Sequence, residues 1–524
     1  MEINSYNFPD YNLLERENAK DNTEYVYKEQ KIEQFFKSFN IFVKCKDILL
    51  GVNSVTYVIQ LSPGTKLSTI KRYKQDLMMN FNAIDVEFEI SINGTEYLGV
   101  VLIKERKKIL KLGDIINSVE VKENRYKIPI ILGKDLNGKV CVENLAELPH
   151  LLIAGTTGTG KSTFLSSIII NILYNFSPED IKLILIDTRE TSFLRFNKIP
   201  HLYIPVVTDS EKTVCVLEFL INEMQNRYRL FKSIKVDNID KYNEVAEEKF
   251  PRIVIIIEDW YDLMLNTKRE VENYIKTLSQ MSRAAGIHIV ISTQRPSTNV
   301  ITGIIKANMP ARISFYVPSY IDSKTIIEDG GAEKLQNNGD IIFKKVGIQK
   351  NKRIQTPYIT DNEIKRIVES FNYNSDIFEG EEKFKIYEDF SSDENAIDPL
   401  LMDAIEYAIE EKQITASMLQ RKFKIGYSRA GKIIDQMEVD GIISGYEGSK
   451  PRKVLIENEN IGTKRNEPNV EDAQIDQINE IKEEESIFCK WWFWLFAIIF
   501  GLIIIGNMWL DQGLIFITVK WLRK

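Results

Sequence analysis

The sequence predicts an α/β core built on a parallel sheet covered by helices, because short apolar runs alternate with segments of helical periodicity. Each run ends near polar residues, and ligands of parallel sheets bind at the carboxyl ends of the strands. A glycine-rich loop follows the first run. In chain order the runs are HLLIA (150–154), KLILID (182–187), RIVIIIED (252–259), IHIVIST (287–293) and ARISFYV (311–317).

Composition bounds the number of domains and the class of partner. The chain has 524 residues, 44% of them hydrophobic, which is enough for several cores at about 150 residues per domain. Its net charge of −7 is not that of a protein that binds nucleic acid over its whole surface, so any such contact must be local. The cysteines lack C-x-x-C spacing and histidines are rare, which argues against a zinc site or a disulfide framework and fits a reducing cytosol.

The glycine-rich loop GTTGTGKST has the spacing of a phosphate-binding loop. Its glycines allow backbone N–H groups to turn toward phosphate oxygens, Lys161 reaches the β- and γ-phosphates, and the Ser162 hydroxyl can ligate Mg²⁺. An apolar helix predicted over 162–176 places its positive end at the anion. The alternative is a chance glycine turn, which the flanking strand and helix argue against. The residues expected to bind ATP are Gly155, Thr156, Thr157, Gly158, Thr159, Gly160, Lys161, Ser162 and Thr163.

Polar residues end the next strands at positions suited to hydrolysis. Glu258 and Asp259 follow a run of β-branched residues, where a Mg²⁺-binding acid and a water-orienting acid lie opposite a phosphate loop. An ordinary strand-ending acid pair is the alternative. Gln294 ends the following strand and could contact the γ-phosphate. The residues expected to act in catalysis are Lys161, Glu258, Asp259 and Gln294, and the expected Mg²⁺ ligands are Ser162 and Glu258.

The C-terminal segment has the pattern of a membrane anchor. WWFWLFAIIFGLIIIGNMWL (491–510) has the length of about 20 apolar residues that crosses a bilayer, with tryptophans at both ends. A buried core helix is the alternative. A single span leaves the basic tail KWLRK (520–524) outside, against the positive-inside tendency, so a re-entrant or interfacial tail is a second alternative.

Longer motifs within the core resemble the motor of the FtsK/SpoIIIE family of DNA translocases. Upstream, 59–77 and 128–150 are similar to the smaller α+β domain that precedes this motor, and downstream 398–456 resembles the winged-helix module of the family. The resemblance covers about residues 30–460. The motor motifs are, in order, LPHLLIAGTTGTGKS, IPHLYIPVVTD, EMQNRYRLF, RAAGIHIVISTQRPSTNVITGIIKANMPARISF and IDSKTIIEDGGAEKLQNNGDIIF.

The resemblance implies a RecA-like P-loop ATPase with a parallel sheet, preceded by a small α+β domain and followed by a winged-helix domain. The apolar run at 491–510 adds a C-terminal transmembrane helix to this arrangement. The predicted divisions are a polar N-terminal tail (1–28), the α+β domain (29–125), the motor (126–375), a linker (376–395), the winged helix (396–458), an acidic linker (459–486) and a membrane segment with a basic tail (487–524).

The function that the resemblance implies is ATP-driven translocation of double-stranded DNA by a homo-hexameric ring. The ring would be held at the cell membrane by a single C-terminal span, with the ATPase in the cytoplasm. Two alternatives remain open. One is a conjugation or protein-secretion ATPase, which shares the core, and the other is a non-hydrolysing tether between DNA and the membrane.

The winged-helix prediction also follows from the residues themselves. TASMLQRKFKI and SRAGKIIDQMEVDGII are typical of two helices joined by a glycine-containing turn, and 445–456 of a hairpin wing. The stretch 417–432 is basic and contains no acid, which indicates a local DNA surface, although a solvated charged face is the alternative. Ser428 and Arg429 are expected to reach base edges and the lysines to hold phosphates. The residues expected to contact DNA are Arg421, Lys422, Lys424, Ser428, Arg429, Lys450 and Arg452.

The chain departs from the family pattern in several places. The acid pair is Glu258 then Asp259, whereas the family order is Asp then Glu. Family members usually carry Asn at the position of Ser428 and often Arg at that of Lys324, so Arg283 and Arg312 are further candidates for a residue acting on the neighbouring subunit. The membrane segment follows the motor, whereas in the family it generally precedes it.

Overall fold

The computed structural model describes ten stretches of the chain, which form two compact units. One contains the described residues of 1–399 and 420–433, and the other those of 400–419 and 434–524. Within these stretches, no helix is both long and apolar enough to span a membrane. The predicted linkers (376–395 and 459–486) and membrane segment (487–524) lie outside them. The described stretches are 6–17, 29–90, 92–105, 108–123, 126–345, 347–348, 350–371, 400–423, 427–445 and 451–455.

A four-stranded antiparallel sheet forms the first part of the larger unit, with strand order β1-β2-β4-β3. Helix α1 buries Ile32, Phe35 and Phe36, a spacing that places all three on one helical face. The strands are β1 Val43–Leu50, β2 Ser54–Leu61, β3 Asp85–Ile90 and β4 Leu98–Ile103, and the helices are α1 Glu29–Lys37, α2 Leu67–Arg72 and α3 Lys74–Phe81.

A nine-stranded sheet forms the centre of the same unit, in the order β6-β5-β13-β12-β11-β7-β10-β9-β8. The five strands β11, β7, β10, β9 and β8 are parallel, and β12, β13, β5 and β6 continue the sheet in antiparallel register. The strands are β5 Pro129–Asp135, β6 Val140–Asn144, β7 His150–Ala154, β8 Ile181–Asp187, β9 Arg252–Glu258, β10 Ile287–Thr293, β11 Ala311–Ser314, β12 Asp340–Lys344 and β13 Lys352–Gln355.

The five strands predicted from the sequence are parallel, and four further strands make the sheet mixed by pairing antiparallel on one side of them. Short connections explain two of the antiparallel pairs, β5 with β6 and β12 with β13, because a parallel pair needs a crossover of roughly a dozen residues or more, whereas an antiparallel pair can be joined by a tight turn. Strands β5 and β6 are joined by such a turn, in which Gly138 has a φ of +84°. The predicted strands 150–154 and 287–293 are confirmed at both ends, and the one predicted over 311–317 ends earlier, at Ser314.

Helices cover both faces of this sheet, which is why its central strands are apolar along their length. Leu151 and Ile153 of β7 face the core that contains α5, and Leu152 and Ala154 face the core that contains α6 and α9. The helices are α4 Val119–Glu123, α5 Lys161–Asn175, α6 Ser210–Ser233, α7 Ile239–Val245, α8 Trp260–Asn266, α9 Lys268–Met281, α10 Gly303–Asn308, α11 Tyr320–Ile327 and α12 Asp361–Ser370.

The N-terminal stretch 6–17 packs against the central sheet and its helices. The Tyr6 hydroxyl donates to the carbonyl of Leu173 at 2.7 Å, and the Tyr174 hydroxyl donates to that of Asp10 at 3.0 Å. Leu14 is buried in the core beside α5. The domain limits at 28 and 125 stay predictions. In the structure, the stretch 6–17 packs against the core of the nine-stranded sheet, and Leu112 is buried in the same core.

The C-terminal elements follow the order helix, strand, helix, helix, strand. Strands β14 and β15 pair antiparallel, and Ile443 forms an isolated bridge with Val454. The centre of the predicted turn (424–426) and the tip of the predicted wing (446–450) lie outside the described residues. The elements are α13 Leu401–Glu411, β14 Gln413–Ile414, α14 Ala416–Phe423, α15 Tyr427–Val439 and β15 Arg452–Lys453.

Candidate nucleotide site

The loop between β7 and α5 has a backbone that requires glycine. Gly155, Gly158 and Gly160 have φ values of +155°, +79° and +110°, which residues with a Cβ atom rarely adopt. A Cβ on Gly155 would come within 2.6 Å of the Phe315 Cβ, and one on Gly160 within 3.0 Å of the Gly339 nitrogen. The loop therefore passes close to neighbouring backbone and delivers the chain to the N-terminus of α5, where free N–H groups favour an anion.

Hydrogen bonds to neighbouring strands fix the loop in place. The Gly155 N–H donates to the Thr293 carbonyl at 3.3 Å, and the Thr156 N–H donates to the Tyr316 carbonyl at 3.1 Å. On the opposite side, the Gly339 N–H donates to the Thr159 carbonyl at 2.8 Å. The phosphate loop is thus held from both sides by segments that lie far away in the sequence.

Lys161 lies folded into its own loop. It is 5% exposed, and its Nζ donates to the Thr156 carbonyl at 2.7 Å. Burial lowers the pKa of the Lys161 ammonium to about 8, although the charges of Glu258 and Asp259 act in the opposite direction. The ammonium therefore lies within the phosphate loop and close to both predicted acids.

Ser162 and Glu258 are in direct contact. The Ser162 hydroxyl donates to Glu258 Oε1 at 2.5 Å. Glu258 Oε2 is buried and has no hydrogen-bond partner among the described residues, and burial raises the pKa of this carboxyl while the bond from Ser162 opposes the shift. A hydroxyl, a carboxylate and an unsatisfied buried oxygen fit the oxygen ligands that Mg²⁺ prefers, with phosphate oxygens completing its shell.

Asp259 lies at a strained position with an arginine against it. Its φ is +61° at the residue before α8, a region that costs a non-glycine residue energy and often marks a functional site. Arg189 Nη2 lies 2.7 Å from Asp259 Oδ2, and Arg189 Nε donates to Asp262 Oδ2 at 2.6 Å. Burial and the Asp262 charge raise the pKa of Asp259, and Arg189 and Lys161 lower it.

Gln294 contacts the phosphate loop from the end of β10. Its Oε1 accepts a hydrogen bond from the Thr157 hydroxyl at 2.7 Å. The structure therefore brings the predicted glutamine to the loop, as it does Glu258 from β9. Neither Arg189 nor Asp262 was predicted from the sequence, although Arg189 stands two residues after Asp187, the acid that ends β8.

The loop opens into a cavity of about 570 Å³ whose second wall comes from other segments. This volume is within the range of small-molecule sites, roughly 300–1,000 Å³. Thr157, Gly158, Gly160, Lys161, Ser162, Thr163 and Gln294 line one side, and Ile109, Asn338, Gly339, Thr356, Pro357 and Tyr358 line the other. Asn338 and Gly339 lie within the last of the family motifs, whereas no motif marked the other residues of this wall.

The predicted DNA contacts are only partly described. Arg421 and Lys422 are exposed on α14, Lys424 and Lys450 lie outside the described residues, and the positions of Ser428 and Arg429 are known only as backbone in the first turn of α15. The Arg452 side chain is 13% exposed and pairs with Glu438 of α15. It also lies 3.7 Å from Asp435.

The candidates for a residue acting on a neighbouring subunit differ in their availability. Arg312 is buried and donates to the carbonyls of Lys306, Met309 and Ile326, and it pairs with Glu328 at 3.0 Å. The Arg312 guanidinium is therefore already bonded within its own chain, which makes Arg312 a poor candidate for a contact with the neighbouring subunit. Arg283 and Lys324 are exposed.

The mixed sheet and the loop before α5 define a P-loop ATPase-like protein of the α/β class. The chain belongs to the FtsK/SpoIIIE family. Models of that family match in three parts: the FtsK/SpoIIIE family model over 111–298, the FtsK gamma domain, which is a winged helix, over 395–457, and the FtsK alpha domain over 8–102.

Bacterial relatives match most of the chain at 35 to 40% identity. It is 40% identical over 470 residues to the DNA translocase FtsK of Clostridium tetani, which covers 87% of this chain and 63% of that protein. It is 35% identical to the DNA translocase FtsK of Haemophilus influenzae, covering 81% of this chain and 87% of that protein. The chain spans between 59% and 63% of the length of five of these relatives.

A solved structure is similar at lower identity. The pCW3 conjugation coupling protein TcpA, in a monomer form with ATPγS, matches with a TM-score of 0.47 and 22% identity, covering 66% of this chain and 98% of that one.

Proposed function

We propose that this chain hydrolyses ATP and uses the energy to translocate double-stranded DNA. The observation that carries the proposal is the contact of Ser162 with Glu258 directly behind the phosphate loop. It joins the hydroxyl of the loop to a strand-ending acid, as ATP hydrolysis with Mg²⁺ requires. Family membership supports the proposal, and relatives such as that of Clostridium tetani are named DNA translocases.

Each site residue has a role in this proposal. Lys161 and the loop N–H groups bind the phosphates, Ser162 and Glu258 hold Mg²⁺, and Gln294 contacts the γ-phosphate. Bound Mg²⁺ supplies neutralisation of the charge that develops on the phosphate oxygens. Asp259 orients the attacking water, and the pairing with Arg189 fixes the position of that carboxylate.

The proposed substrate is duplex DNA held in part by the winged helix. Arg421 and Lys422 present exposed positive charge on α14, and phosphate contacts of this kind contribute affinity without sequence preference. Arg429, at the start of α15, is proposed to contact base edges. Arg452, which pairs with Glu438, is proposed to contribute less than Arg429.

The assembly and location are proposed from the family resemblance and the sequence. A RecA-like core of this class would act as a homo-hexamer, in which a residue such as Arg283 reaches the nucleotide of the neighbouring subunit. A single span at 491–510 would hold the ring at the cell membrane, with the ATPase in the cytoplasm. Labelling of Lys524→Cys in intact cells by an impermeant reagent tests this topology, and protection from the reagent favours the re-entrant or interfacial alternative.

Displacement of a third strand from duplex DNA tests translocation itself. The expected result is ATP-dependent displacement that is lost in Lys161→Ala. Hydrolysis that DNA does not stimulate, with the third strand left in place, would instead favour a protein-secretion ATPase. Binding of DNA and ATP without hydrolysis would favour the tether.

A further inference from the structure

We infer that Ile109, Pro357 and Tyr358 form the wall that binds the purine base of the nucleotide, an inference that deepens the proposed ATPase function and rests on it. All three line the cavity into which the phosphate loop opens. The phosphate loop binds only one end of a nucleotide, so the base must be held by the part of the cavity that the loop does not form.

The side chains of this wall have the chemistry of a base site. Ile109 and Tyr358 are large apolar or aromatic residues that remain 48% and 41% exposed. Their chain neighbours Leu110 and Ile359 are buried at 5% and 3% exposure. This alternation turns one residue of each pair into the core and the other toward the cavity. An aromatic ring beside an aliphatic side chain is suited to a flat, partly apolar purine, which it contacts by stacking.

Backbone hydrogen bonds hold the wall in position before any ligand arrives. The Tyr358 N–H donates to the Leu110 carbonyl at 2.7 Å, and the Leu112 N–H donates to the Tyr358 carbonyl at 3.0 Å. These bonds keep the segments of Ile109 and Tyr358 side by side. A wall fixed in this way loses little conformational entropy on binding.

The same wall is tied to the phosphate loop by two further bonds. The Thr356 N–H donates to the Gly339 carbonyl at 2.7 Å, and the Gly339 N–H donates to the Thr159 carbonyl at 2.8 Å. Gly339 has a φ of +95°, and a Cβ there would come within 2.4 Å of the Thr356 hydroxyl. The close approach sets the distance between the loop and the wall.

Binding of ADP and of inorganic tripolyphosphate to the full-length chain tests the inference. Tripolyphosphate occupies the phosphate loop and has no base. Tyr358→Ala and Ile109→Ser are expected to weaken ADP about tenfold, the size of one lost stacking contact, and to leave tripolyphosphate affinity unchanged. Tyr358→Phe keeps the ring and should retain the wild-type affinity for ADP.

Matched controls use exposed side chains outside the cavity. Tyr320→Ala and Ile234→Ser change residues that are 55% and 43% exposed, and they should alter neither affinity. The inference is overturned if the two wall variants bind ADP like wild type, or if they lose tripolyphosphate to the same extent, because the wall would then only support the loop. If the wild-type chain binds neither ligand, the proposed ATPase function fails as well.

Discussion

Ser162 Oγ lies 2.5 Å from Glu258 Oε1, so the first acid of the reversed pair is the one that contacts the phosphate loop. Asp259, the second acid, points instead to Arg189. The two carboxylates therefore have different surroundings although they are adjacent in the sequence. These contacts support the proposal that Glu258 binds Mg²⁺ and Asp259 orients the attacking water.

Exchanging the two acids should not abolish hydrolysis. Glu258→Asp combined with Asp259→Glu restores the family order and moves each carboxylate by about one methylene, roughly 1.5 Å. A shift of that size can change a rate about 10²-fold where positioning is tight. Both carboxylates nevertheless remain in the site, so we expect activity that is retained or raised. Steady-state ATPase assays measure it, with Asp259→Asn as the control that should lose turnover and keep ATP binding. Loss of turnover in the exchanged variant would contradict the assignment.

Removing Arg189 should slow turnover more than it weakens ATP binding. Its guanidinium bonds Asp262 and lies against Asp259, so Arg189→Ala leaves Asp259 at its strained φ without this partner. We expect kcat to fall roughly 10- to 100-fold with KM nearly unchanged, because a positioning contact is lost. Arg189→Lys should recover part of the rate, and Arg229→Ala on α6 is the control. An unchanged kcat in Arg189→Ala would rule out this role.

The buried histidines should make the fold sensitive to mild acid. Burial lowers the pKa of His150 and His201 to about 4 and that of His288 to about 3. Between pH 6.5 and these values the unfolded chain binds more protons than the folded one, so stability falls as pH falls. The loss is at most about 1.4 kcal/mol per pH unit for each histidine.

Unfolding free energies measured from pH 7 to 4.5 check the acid effect. His201→Gln retains a donor for the Phe176 carbonyl, which the His201 Nε2 contacts at 2.9 Å, and it does not titrate. Its stability should therefore fall less steeply than that of the wild type. Parallel curves for the two proteins would show that His201 does not enter the fold as a neutral group.

The winged helix should bind duplex DNA in a salt-dependent manner. Residues 396–458 alone are expected to bind, with an affinity that falls as salt rises because phosphate contacts release counterions. Arg429→Ala should weaken binding. Arg421→Ala should reduce the slope of log affinity against log salt by about 1. Fluorescence anisotropy with a labelled duplex measures both, and absence of binding even at low salt would reassign the module to protein contacts.

Much of the nucleotide site could be predicted from the sequence, because its chemistry depends on local patterns. The loop 155–163 is defined by its glycines and Lys161, and the strands before Glu258 and Gln294 by their apolar runs. Each pattern is contiguous and needs no knowledge of the rest of the chain. Both Glu258 and Gln294 contact the loop in the structure.

The features that sequence analysis missed depend on contacts between distant segments. Tyr358 and Ile109 are separated by most of the motor, and only the pairing of their segments brings them to one cavity. Arg189 is one of many basic residues, and its place two residues after Asp187 does not indicate that it pairs with Asp259. The antiparallel strands β5, β6, β12 and β13 were not predicted, because the alternation of apolar runs with helical segments does not reveal strands that are joined in short hairpins.

ATP hydrolysis by a version of the chain that ends at residue 485 shows whether this protein is a DNA-driven motor. The rate is measured with and without duplex DNA and compared with that of Lys161→Ala, which loses the phosphate contact. We expect hydrolysis that is slow, rises when DNA is added and disappears in Lys161→Ala. A protein that binds ATP and DNA yet shows no turnover above the Lys161→Ala background would contradict the motor and leave the tether as the better account.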